Sequence, residues 1–110
     1  MSRTYKVIWT DVAERDLESV IDYLADDHPQ NAVRVLDRII KKAHSLKRNP
    51  KRGRKIPEFA EFHDSSFREL LIPPWRLIYR IMEKRVDVLA FLDGRRDLAE
   101  LMYERLVRLK

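Results

Sequence analysis

Residues Phe67 to Arg96 read FRELLIPPWRLIYRIMEKRVDVLAFLDGRR. WRLIYRI alternates, so Trp75, Leu77, Tyr79 and Ile81 share one face of a strand while Arg76, Ile78, Arg80 and Met82 share the other. Pro73-Pro74 donate no backbone hydrogen bond and therefore place a tight turn between FRELLI and WRLIYRI, closing a hairpin. The run Val86 to Leu92 is almost continuously β-branched, aliphatic or aromatic, the pattern of a strand covered on both sides. Glu83-Lys84 supplies the second hairpin turn, and Asp93-Gly94 ends the third strand at a residue able to take a positive φ. Arg95 and Arg96 then stand at the sheet's edge.

Working outward, Tyr5 to Thr10 is short, aromatic and β-branched and predicts a first strand that joins this sheet. Thr10 and Asp11 offer an N-cap, with Glu14 three residues beyond Asp11, and Leu17, Val20, Ile21 and Leu24 follow at helical spacing. A helix is expected from Val12 to Ala25. His28-Pro29 ends it and suits the first turn of a second helix, whose apolar face is read as Val33, Leu36, Ile40 and Ala43, widened by Val35 and Ile39. Pro50 stops that helix. Asp97 with Glu100 repeats the capping spacing before Leu98, Leu101, Met102, Leu106 and Leu109, which predict a C-terminal helix. The expectation is an α+β domain over residues 1–110, β-α-α-β-β-β-α, with a mostly antiparallel four-stranded sheet, an N-terminal α-α hairpin on one face and a C-terminal helix. Leu17, Ile21, Leu36, Ile40, Tyr79, Val88 and Phe91 are expected in its core.

With 110 residues and two glycines the chain suits one modest core, and with no cysteine it offers neither disulfides nor thiolate metal sites. No N-terminal apolar region follows Met1 and no run approaches the ~20 residues that span a bilayer, so the cytoplasm is the expected compartment and no membrane partner is implied. Charge is uneven. Residues 1–46 hold seven Lys/Arg against eight Asp/Glu, whereas residues 47–110 hold sixteen against ten. The sheet half is thus basic and favours polyanions or an acidic protein. Its densest stretch, Lys47 to Lys55, has six basic residues in nine. Lys51, Arg52, Arg54 and Lys55 there read either as a solvated connector or as a phosphate-contacting loop.

Most familiar chemistry has no support in this sequence. His28, His44 and His63 lack metal-ligand spacing, and there is no Gly-rich phosphate loop, GxSxG or Cys nucleophile. No metal or cofactor is implied. What remains is Arg68, Arg76, Arg80, Arg95 and Arg96 with Tyr79 and Tyr103, either a wetted sheet face or an anionic pocket, since guanidinium holds phosphate oxygens bidentately. Antiparallel pairing would bring Arg76, at a strand's start, beside Arg96, just past its neighbour's end, in one solvent-facing pocket.

The start IWTDVAERDLESVIDYLADDHPQNAVRVLDRI, the loop ending GRKIPE, then FREL, RLIYRI and DGRRD, taken in that order, resemble the RelE/ParE superfamily of toxins from bacterial type II toxin-antitoxin modules over nearly the whole chain. The resemblance implies a cognate antitoxin as partner. It also implies one of two actions on a shared fold: metal-free cleavage of mRNA held in the ribosome, which is the first expectation, or, as the alternative, poisoning of DNA gyrase without any cleavage. Carried over residue by residue, Arg76 and Arg96 match arginines that the RNA-cleaving branch uses on phosphate, and Arg68 stands where that branch has a lysine. Tyr103 lies about one residue beyond that branch's tyrosine, and Asp93 stands where many members have a histidine. The RNA-cleaving reading therefore takes Arg68, Arg76, Arg96 and Tyr103 as the catalytic set, with Lys51, Arg52, Arg54, Lys55, Arg80 and Arg95 on nucleic acid. In the gyrase reading the same arginines are surface or antitoxin contacts.

Overall fold

The structure, a computed structural model, describes residues 4–59 and 66–101. The chain runs through β1 (Lys6–Trp9), α1 (Asp11–Asp27), α2 (Pro29–His44), β2 (Arg54–Lys55), β3 (Phe67–Ile72), β4 (Trp75–Ile81) and β5 (Arg85–Asp93). Short 3₁₀ turns at Ser45–Lys47, Pro50–Arg52 and Pro57–Phe59 carry the connection, and residues 98–101 open a third helix. The strands form one sheet in the order β1-β5-β4-β3-β2.

The two expected hairpins are present, with Pro73-Pro74, joined by a cis bond, at the first turn. The sheet differs from expectation in having five strands and mixed direction. β1 pairs parallel to β5, and β2 is a two-residue strand inside the basic loop, paired antiparallel with β3. Two residues are too few for an alternation to register, and strand direction leaves no trace in the pattern of one strand.

The helical hairpin lies on one face of the sheet. Ala13, Leu17, Ile39, Ala43 and Leu46 pack there on Leu70, Ile72, Leu77, Tyr79, Val86, Val88 and Phe91. Thr10 caps α1: its hydroxyl accepts from the Ala13 N–H at 3.2 Å and donates to the Val88 carbonyl at 2.9 Å. The α2 stripe is rotated from the expected one, toward Ala32, Ile39 and Ala43, while Ile40 is 43% and Val33 68% exposed. With Val33, Val35, Leu36, Ile39 and Ile40 all apolar, the pattern spans more of the helix than one face can bury. Ala32 and Ala43 are buried instead.

The second face is covered too. Ile56, Ile78, Ala90, Leu92, Leu98 and Leu101 form a smaller cluster there, with Phe59 and Phe67 against it. β5 serves both clusters because Ile78 pairs with Ala90 while Tyr79 pairs with Val88, leaving Leu89 as an extra residue that reverses the strand's alternation. Val86 and Val88 thus face the helices before the bulge, and Phe91 faces them after it. The displaced Phe91 N–H donates to the Asp16 carboxylate of α1 at 3.0 Å. Gly94 has no positive φ. It is small because its N–H meets the Pro74 carbonyl at 2.8 Å, where an added Cβ would lie 3.1 Å from the same oxygen.

Candidate functional site

The alternation of FRELLI places Arg68 on the helix-covered face with Leu70 and Ile72, and Glu69 and Leu71 on the second face beside Arg76. Arg68 and Arg76, expected to work on one phosphate, therefore lie on opposite sides of the sheet.

On the helix side Arg68 sits against Tyr79, its cross-strand partner, and donates to the Gly53 carbonyl at 2.9 Å. The fully buried Tyr79 hydroxyl accepts from the Gly53 N–H at 2.9 Å and donates to the Pro50 carbonyl at 2.6 Å, tying down the basic loop. Burial pushes the Tyr79 phenol up, against the pull of the Gly53 N–H and of Arg68 and Arg52. The Nε of Arg68 is buried with no hydrogen-bond partner among the described residues. A Cβ on Gly53 would come within 2.5 Å of the Glu69 carbonyl and 2.6 Å of the Tyr79 hydroxyl, so only glycine fits this approach.

On the second face Arg76 is buried in a ladder of charges. Its Nε donates to Glu69 at 2.5 Å, and Nη1 and Nη2 grip Glu58 at 2.7 and 2.8 Å. Glu69, fully buried, accepts from Arg54 Nε at 2.6 Å through its other oxygen. The two carboxylates hold Arg76 above its ordinary value. The Arg76 hydrogen bond, against desolvation, holds Glu58 below the usual carboxylate range, aided by the Leu98 N–H at the start of the third helix. One carboxylate thus joins the Pro57–Phe59 turn, the sheet and that helix.

The other expected site residues are scattered. Lys51, Arg52, Arg54 and Lys55 are exposed along the β2 edge. Arg52 donates to the Ser45 hydroxyl, and Arg80 lies 4.9 Å over the Phe67 ring. Arg95 clasps Asp93 at 3.1 and 3.2 Å, an exposed pair that lowers the carboxyl and raises the guanidinium. Arg96 is exposed in the turn after β5. The open cavity beside Arg76 is lined by Gly94 from that turn and not by Arg96. Tyr103 lies outside the described residues. Among those described, no cluster of His, Cys, Asp or Glu could hold a metal ion, and no helix is long and apolar enough to cross a membrane.

The fold is similar to that of chains in solved toxin-antitoxin assemblies. The chromosomal ParDE toxin-antitoxin system of P. aeruginosa contains a chain that matches with a TM-score of 0.68 at 19% identity, over 82% of this chain and 96% of that one. A chain of the Mycobacterium tuberculosis toxin-antitoxin complex RelBE2 matches with a TM-score of 0.56 at 22% identity, over 83% and 92%. No curated protein sequence matches. The model of the family described as ParE toxin of the type II toxin-antitoxin system parDE matches residues 7–98. The chain belongs to the ParE toxin family.

In this ParE-family toxin, sequence reasoning missed Glu58 and Glu69. The signal for Glu69 was present. With a two-residue turn at Pro73-Pro74, Leu71 must face Arg76, and a lone carboxylate two residues before Leu71 falls diagonally beside that arginine on the same face. Glu58 had no such signal, because it comes from an irregular turn.

Proposed function

We propose that this toxin arrests growth by binding a protein target, DNA gyrase, without cleaving a bond, and that a cognate antitoxin neutralises it. The observation that carries this reading is the engagement of Arg76. All three of its nitrogens donate to Glu58 and Glu69, and Arg68 lies across the sheet from it. Stabilising a phosphodiester transition state requires donors converging on one point, with charge in excess of what the protein already neutralises. Arg54, Arg76, Glu58 and Glu69 balance each other. Membership of the ParE family supports the same choice. The antitoxin partnership is supported by both structural neighbours, which are named as toxin-antitoxin assemblies. The exposed basic edge from Lys51 to Lys55 suits an acidic surface, speeding encounter and opposing cationic partners.

The test adds purified toxin to a gyrase supercoiling reaction and, separately, to ribosomal translation of a defined mRNA. Supercoiling is expected to fall while translation continues with intact message. Loss of translation with cut mRNA and untouched supercoiling would reverse the assignment.

A further inference from the structure

On the second face the arginines of the ladder have carboxylates, Arg54 and Arg76 being matched by Glu58 and Glu69. The helix-covered side of the same β2–β3 corner is built differently. Pairing of β2 with β3 sets Lys55 directly across from Arg68 on that side, where like charges repel. The Arg68 Nε is buried without a hydrogen-bond partner among the described residues, and Arg52 lies close enough to favour, with Arg68, the ionised form of the Tyr79 phenol. Lys47, Arg48 and Lys51 extend the run and are exposed. None of these six cations has an ion pair among the described residues. Together they exceed the chain's net charge of +5, so the rest of the molecule carries a slight acidic excess and the positive field is concentrated here.

The loop that carries them is pinned from inside. The Tyr79 hydroxyl holds Pro50 and Gly53, Arg68 grips the Gly53 carbonyl, and Arg52 reaches back to the Ser45 hydroxyl at 2.8 Å. A fixed backbone lowers the ordering cost of binding. From Lys47 to Lys55 the only apolar side chain is that of Pro50, whereas a protein interface is organised around buried aromatic or aliphatic anchors and is depleted of lysine. Single-stranded nucleic acid needs rings on which its bases stack. The aromatic residues of the flanking strands are already used: Tyr79 is fully buried, and Phe67 has the Arg80 guanidinium over its ring and Phe59 edge-on at 6.0 Å. A regular array of phosphates asks only for what this corner has, unpaired cations on a rigid frame.

We propose that this corner binds the phosphate backbone of duplex DNA, without sequence preference, and so seats the toxin on the DNA that its target holds; that placement rests on the gyrase reading above. Lys51, Lys55 and Arg68 sit on the phosphates, and the neighbouring cations raise the encounter rate. The bound phosphates then supply the anions that the chain withholds from Lys55 and Arg68.

The experiment titrates full-length toxin into a fluorescent DNA duplex of ~20 base pairs, and into single-stranded DNA and RNA of the same length, between about 50 and 200 mM salt. Two double variants are compared: Lys51→Gln with Lys55→Gln, and, as a control of equal charge, Lys6→Gln with Lys84→Gln on exposed positions away from the loop. Wild type is expected to prefer the duplex. The loop variant should bind it roughly tenfold more weakly, with a salt slope shallower by about two, while the control stays near wild type. Both variants should keep the wild-type thermal midpoint, because all four side chains are exposed. Equal losses in the two variants, duplex affinity unchanged in the loop variant, or tighter binding of either single strand would overturn the DNA face. Supercoiling measured beside these titrations separates the two readings. Gyrase inhibition without duplex binding would overturn the inference and leave the target standing, whereas duplex binding lost as described with supercoiling untouched by wild type would overturn the target and leave the DNA face standing.

Discussion

On the helix-covered face of β4, Leu77 and Tyr79 are fully buried in the larger apolar cluster, and the Tyr79 hydroxyl has both a donor and an acceptor from the basic loop, whose Gly53 carbonyl also accepts from Arg68. On the opposite face Ile78 is equally buried, but Arg76 beside it is matched by two carboxylates from separate segments. The first face is held by area removed from water and by fit. The second is held by a set of charges, each of which would be costly if left alone. An arginine on a strand is not by itself a binding residue: its partners decide, and those of Arg76 come from inside the chain.

Breaking the charged face should cost most. Glu69→Leu removes the buried carboxylate shared by Arg76 and Arg54, and a loss of about 3–5 kcal/mol is expected in urea unfolding, typical of a buried ion left without its partner. The helix face should fail differently, by crowding. Gly53→Ala places a methyl against the Glu69 carbonyl and the Tyr79 hydroxyl, and about 1–3 kcal/mol is expected from the same measurement. Asp16→Ala leaves the Phe91 N–H of the bulge without its acceptor, at a cost of about 1 kcal/mol because water can partly replace it.

The smallest effect is with pH. Glu58 titrates lower in the folded chain than its ordinary value of 4.5, so its contribution is complete above that value and is lost as pH falls through the folded one. Thermal midpoints measured between about pH 6 and 3 should therefore fall less steeply for Glu58→Gln than for wild type. Equal slopes would mean that Glu58 adds nothing through its charge.

Much of this was readable in the residues. The alternation of WRLIYRI and the proline turn located both hairpins, and the same alternation in FRELLI, followed through, separates Arg68 from Arg76. The bulge at Leu89 was not readable, because in a strand covered on both sides a reversal of alternation leaves the apolar run unbroken. The α2 face is hard to read because its apolar residues exceed one stripe and the buried Ala32 looks least like core. Glu58 was invisible for a different reason. Its role depends on where an irregular turn lies across the sheet, and no local periodicity encodes that.

On the proposed function, Arg76 holds the second face together and takes no part in chemistry on a target. The most direct test is the combined variant Arg76→Met, Glu58→Leu, Glu69→Leu, which removes the three inner charges together and leaves only exposed Arg54, since balanced buried charges are often replaced by apolar side chains without loss of stability. Its thermal midpoint and its arrest of growth on expression without antitoxin are measured side by side. A folded protein is expected, with a midpoint near wild type, that still arrests growth. A variant that keeps its midpoint and no longer arrests growth would contradict it.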